Sequence, residues 1–164
     1  VGPPVLGELD GGAAQAAVAL DPMHIAQDAE VAARVLSWGL PLLKEGPVLV
    51  YSTADPAAVK AAQARLGVVQ AGALVEATLA EIARGLVQGG VGQLIVAGGE
   101  TSGACVQALG ISQMQIGGQI DPGMPWCYAH TQIGGGKGIH IALKSGNFGA
   151  VGFFENAFTD IQAS

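Results

Sequence analysis

The sequence is short of charge. Asp, Glu, Lys and Arg make up 12% of its 164 residues, about half of the roughly 25% usual in soluble domains. Little polar material is left to cover a surface, so part of that surface is expected to be buried against something else. Basic residues are scarcest: 7 Lys and Arg against 13 Asp and Glu leave a formal charge of -6. With no Lys/Arg cluster, the chain would repel phosphate backbones, which argues against extended nucleic-acid or anionic-membrane binding. A small anion stays open, because a single helix N-terminus can hold one.

Other absences narrow the field. There are two cysteines, Cys105 and Cys127, with no CxxC or Cys/His pairing around them. That speaks against a zinc site or a disulfide framework and for free, buried thiols. His24, His130 and His140 are scattered without an acidic partner at a telling interval, so neither a metal site nor a Ser/His/Asp triad has support. No stretch approaches the roughly 18 uncharged apolar residues of a membrane span. The start, VGPPVLGELDGG, lacks the basic and apolar regions of a signal peptide, and a cytoplasmic protein is expected.

What is present is small and apolar. Half of the chain is hydrophobic while aromatics are 5%, because Ala, Val, Leu and Gly dominate, which suits helices packed closely on a sheet. The length fits one domain, residues 1–164. We expect an α/β fold, with a largely parallel sheet and helices on both faces in three α/β/α layers. AAVAL (residues 16–20) running into Asp21-Pro22 reads as a buried strand, followed by a helix over about 26–40. GPVLVYSTADP (46–56) gives a β-branched strand, with Ser52, Thr53 or Asp55 available to cap a helix ending near Leu66. Residues 72–90 place Leu74, Ala77, Thr78, Ile82 and Leu86 at helical spacing. QLIVA (93–97) has the continuous apolar pattern of a strand covered on both faces, and a helix starts within GETSGACVQALG. Residues 113–117 offer a weak strand, and 119–138 read as a long irregular loop. GIHIALK (138–144) is a strand, SGNFG a turn and residues 151–161 a closing helix.

Two strand-to-turn junctions could carry chemistry. In VAGGETSG, Gly98 and Gly99 let the backbone turn sharply and approach a ligand, while Thr101 and Ser102 bring hydroxyls and unpaired amides to a helix start. Such a turn suits phosphate oxygens, since amides and helix dipole favour an anion without net positive charge. It matches neither GxxxxGK nor GxGxxG, and it reads equally as a Thr/Ser-capped helix after a tight turn. Glu100 could orient a water on a metal ion or simply favour the helix start. In ALKSGNFG, Lys144 could meet a phosphate as a point charge, with Ser145, Gly146 and Asn147 adding hydrogen bonds; an ordinary Gly/Asn turn is the alternative. IDPGMPW could set Met124 or Trp126 against a purine ring, or only reverse the chain.

Taken together, VAGGETSGACVQALG, IGGQIDPGMPW and ALKSGNFG followed by FFENAF resemble the C-terminal nucleotide-binding domain of the four-carbon acid sugar kinase family, and the likeness reaches back through LDP and GPVLVYSTADP. The resemblance implies a two-domain enzyme in which ATP phosphorylates sugar acids such as 3-oxo-tetronate, threonate or erythronate. It implies that Gly98, Gly99, Glu100 and Thr101 contact ATP, as does Gly146 within Lys144-Ser145-Gly146-Asn147, with Mg²⁺ bridging the phosphates. The family's N-terminal half, with its Asp-Asp motif and acid-sugar site, does not occur in this sequence, nor is a Gly-Ser-Cys-Ser-like contact found in VLGELDGG. An excised domain or separate subunit is therefore expected, one that binds ATP or ADP and phosphorylates nothing alone. A homo-oligomer is compatible with the low charge. Two other functions remain in view: a dinucleotide-dependent oxidoreductase module using Asp121 on a ribose, and a non-enzymatic anion-binding or assembly domain.

Overall fold

The protein's structure, a computed structural model, describes residues 16–52, 56–145 and 152–160. The chain divides into two compact units, residues 1–82 and 83–164.

In the first unit, β1 (Ala16–Leu20) and β2 (Val48–Ser52) pair in parallel, Ala16 opposite Val48 and Leu20 opposite Ser52. The crossover between them holds two helices, α1 (Pro22–Gln27) and α2 (Val31–Leu42), where one was expected over 26–40. Local hydrogen bonding explains both the early start and the break. The Asp21 carboxylate accepts from the Met23 amide at 2.9 Å, and Pro22, which has no N–H to satisfy, fills the first turn. Seven residues on, the Asp28 carboxylate accepts from the Glu30 amide at 2.9 Å and pairs with Arg34, which ends one helix and opens the next.

Helix α3 (Pro56–Leu66) gives way to α4 (Val68–Gln88) through a bend of 110°. Gly67 makes the bend at φ 86°, its amide donating to Gln63 O at 2.9 Å. Helix α4 starts four residues before its periodicity becomes legible, because Val68 and Val69 are exposed and break the apolar pattern. The capping role expected of Thr53 or Asp55 lies outside the described residues. Among the described residues no single helix is long and apolar enough to cross a membrane.

The second unit holds β3 (Gln93–Ala97), α5 (Gly99–Ala108), β4 (Met114–Asp121), β5 (Met124–His130), β6 (Gly138–Lys144) and α6 (Phe153–Asp160). Its four strands run in the order β3-β6-β5-β4. The fold is α/β, as expected, but this sheet is mixed: β3 and β6 are parallel, whereas β6–β5 and β5–β4 are antiparallel.

The antiparallel part falls where a long loop was expected over 119–138. Pro122 and Gly123 form a tight hairpin turn, with Gly123 at φ 77°. Pro125 fits inside β5 because the β5–β6 ladder spans only Cys127 to His130, and the β4 register shifts beside it. On one face, Trp126 packs with Ala142 and Ala157, against Ile95, Ile120 and Phe158. Its indole Nε1 donates to Ala157 O at 2.9 Å, tying β5 to α6. On α5, Ser102, Cys105 and Leu109 are buried, the stripe expected of a helix lying on a sheet. The buried Thr131 hydroxyl donates to Leu109 O at 2.5 Å and accepts from the Ile133 amide at 3.1 Å, which joins the end of α5 to the loop after β5.

Candidate functional site

Strands β3 and β6 are hydrogen-bonded neighbours running in the same direction, with Ala97 opposite Lys144. Each is the last residue of its strand, so Gly98 and Ser145 follow at the same end of the sheet. One further bond joins the strand ends, from the Gly98 amide to Lys144 O at 2.8 Å.

Gly98 occupies the N-cap position of α5 at φ 109° and ψ 133°, a conformation that L side chains rarely adopt. An N-cap residue normally supplies the side-chain acceptor for the first helix amides, and glycine has none. Among the described residues no side chain caps α5. Among the described residues the amides of Gly99, Glu100 and Thr101 meet no acceptor at the positive end of the helix, and helical bonding begins with Ser102 N donating to Gly98 O at 2.9 Å. Gly99 is exposed, and a Cβ built on it would meet no atom of the described residues within 4 Å. A cradle of this kind, open backbone donors beneath a glycine without neighbours, fits an anion such as a phosphate group.

Around the cradle, Glu100 is exposed and is the one acidic residue of the first helical turn. Thr101 is half-buried, with Oγ1 3.3 Å from where a Cβ on Gly98 would stand. Lys144 is half-buried and Ser145 exposed. The structure thus brings Gly98, Gly99, Glu100 and Thr101 beside Lys144 and Ser145. Gly146 and Asn147 lie outside the described residues, as does VLGELDGG. Sequence reasoning named Ser102 only as a hydroxyl at a helix start and missed its burial, although its spacing to Cys105 and Leu109 was there to be read.

Two alternatives left open by the sequence fall away, and the chain reversal read in IDPGMPW is the hairpin turn at Pro122 and Gly123. Met124 and Trp126 are buried in the second unit's core, so neither forms an open wall for a purine. Asp121 does not fit the dinucleotide fingerprint, because it ends β4, three strands across the sheet from β3 on an antiparallel hairpin. That is roughly 14 Å of strand spacing, whereas the ribose-binding acid belongs on the strand next to the glycine turn. Among the described residues no three His, Cys, Asp or Glu side chains gather as a metal site. The first unit has an apolar cavity of about 140 Å³ lined by Leu20, Ile25, Val35 and Trp38 among others, and no predicted site residue reaches it. Both cysteines are free; burial pushes the Cys105 thiol up to about 11 and raises that of half-buried Cys127.

The family model described as nucleotide-binding C-terminal domain matches residues 8–154. The chain belongs to this family. Its relatives are the acid sugar kinases that the motifs resemble: the 3-oxo-tetronate kinase of Burkholderia multivorans is 52% identical over 138 residues, and that of Pseudomonas savastanoi pv. phaseolicola 54% over 114. The first alignment covers 84% of this chain and 31% of the relative, so the chain spans about a third of the length of the curated kinases it matches. The crystal structure of a Haemophilus influenzae protein superposes with a TM-score of 0.77 at 40% identity, covering 87% of this chain and 34% of that one.

Proposed function

We propose that residues 1–164 form the ATP-binding domain of a kinase that phosphorylates a four-carbon sugar acid of the 3-oxo-tetronate kind. The observation that carries this is the Gly98–Lys144 hydrogen bond, which sets the glycine turn after β3 beside the end of the parallel strand β6, where α/β sheets receive ligands. The amides of Gly99, Glu100 and Thr101 would hold phosphate oxygens, and Lys144 and Ser145, with Gly146 and Asn147 next in the sequence, would be the further contacts. The names of the relatives supply the acceptor class.

Magnesium fits this site as a passenger on the nucleotide. With no cluster of carboxylates among the described residues, the ion would ride on the phosphates, with Glu100 the carboxylate of the turn that receives them. When bound, Mg²⁺ neutralises charge on the transferring phosphoryl group. The sugar acid and the base that takes its hydroxyl proton belong to the part of the kinase outside this sequence, so the chain alone binds nucleotide without turning it over. A homo-oligomer would bury part of the weakly charged surface.

Calorimetric titration with Mg-ATP, Mg-ADP and NAD tests this function. Saturable binding of the adenine mononucleotides in preference to NAD is expected. Binding of none of the three, or a preference for NAD, overturns it.

A further inference from the structure

Among the described residues, the Ser102 hydroxyl is a buried side-chain polar atom with no hydrogen-bond partner. A partner is usually within reach, because a helical Ser or Thr can donate to the carbonyl four residues back. Thr78 does so, its Oγ1 donating to Leu74 O at 2.8 Å. Ser102 does not use Gly98 O in this way, and an unmet buried hydroxyl is destabilising.

Two features bear on where the side chain points. Ser102 belongs to the buried stripe with Cys105 and Leu109, on the face of α5 that packs against β3 and β6. Every Cα–Cβ bond in a helix leans toward its N-terminus. The Ser102 side chain therefore leans toward Gly98 and the first turn of α5. One staggered step about the Cα–Cβ bond moves Oγ by roughly 2 Å, which gives the hydroxyl a choice of acceptors near that turn.

We infer that Ser102 is a further phosphate contact, its hydroxyl donating to an oxygen of the group held by the amides of Gly99, Glu100 and Thr101. This role rests on the nucleotide-binding function proposed for the chain and deepens it. Alanine would fold here with no unmet donor, so among the described residues serine carries a cost that a bound ligand would offset.

Ser102→Ala separates ligand contact from structural support when Mg-ATP affinity and the melting midpoint of the ligand-free chain are measured together. The contact predicts a loss of affinity of roughly tenfold or more, with a midpoint unchanged or raised by roughly 2–4 °C. Unchanged affinity overturns it, and so does a loss of affinity accompanied by a lowered midpoint, which marks a structural serine. If the parent chain binds and Ser102→Ala binds equally well, the serine alone is removed from the site. If the parent binds no nucleotide, the proposed function falls and takes the serine's role with it.

Discussion

The Gly98 amide lies 2.8 Å from the carbonyl oxygen of Lys144, and Ala97 pairs with Lys144 in the parallel ladder just before it. The strand pairing continues one residue into the glycine turn. One side of the candidate site is thereby fixed to the rigid end of the sheet, and the amides that follow are oriented before any ligand arrives. Preorganisation of this kind spares a binding site the entropy of ordering its donors.

The two glycines of that turn should separate folding from binding. Gly98→Ala puts a side chain at φ 109°, 3.3 Å from Thr101 Oγ1, and should cost about 1–3 kcal/mol of stability. Gly99 has open space above it, so Gly99→Val should leave the fold nearly intact while its isopropyl group blocks the approach of a phosphate. Denaturant titration and calorimetry on both variants check this. Equal loss of stability in the two, or a Gly99→Val chain that binds like the parent, would remove the cradle from the site.

Trp126 is expected to matter for stability alone. Its indole donates to Ala157 O at 2.9 Å from within the cluster that joins β5 to α6. Trp126→Phe keeps an aromatic ring and removes this hydrogen bond, which should cost about 0.5–1.5 kcal/mol in urea unfolding. Nucleotide affinity should not change. A specific loss of affinity at unchanged stability would return Trp126 to the ligand.

The elements that frame the cradle were legible in the sequence because local signals specify them. QLIVA and GIHIALK are short apolar runs bounded by glycine, and their strands occupy those residues. Their adjacency was not legible, since the residues between β3 and β6 build a helix and a hairpin, and strand order is set by non-local pairing. The hairpin was misread because Asp121, Pro122, Gly123 and Pro125 carry the composition of a loop, although two of the four form the turn itself. Ser102 shows a different limit. Its position on the buried stripe can be counted from Cys105 and Leu109, but the lack of a partner is a property of three-dimensional packing.

Thr131 offers a test of the loop that follows β5. Its buried hydroxyl donates to Leu109 O and accepts from the Ile133 amide. Thr131→Val preserves the shape and removes both bonds, so about 1–3 kcal/mol of stability should be lost. Thr131→Ser, which keeps the hydroxyl, should recover most of it in the same unfolding titration. Failure of serine to rescue would assign the effect to packing by the methyl group.

The cysteines provide a pH dependence of known sign. Burial raises the Cys105 thiol from 9.0 to about 11, so between those values the unfolded chain has released a proton that the folded chain still holds. Stability contributed by this group is complete below pH 9 and is lost as pH rises toward 11, up to about 2–3 kcal/mol. Thermal melts at pH 8, 9, 10 and 11 should therefore fall more steeply for the parent than for Cys105→Ala, whose smaller side chain lowers the whole curve without adding a slope. At pH 8 a thiol reagent should modify half-buried Cys127 well before Cys105, whose thiolate fraction is smaller and whose sulfur is enclosed. Parallel pH slopes for parent and variant, or faster modification of Cys105, would show that α5 opens from the sheet in the ligand-free chain. Phosphate oxygens held at its first turn should then slow the modification of Cys105, which makes the rate of labelling a second reading of nucleotide binding.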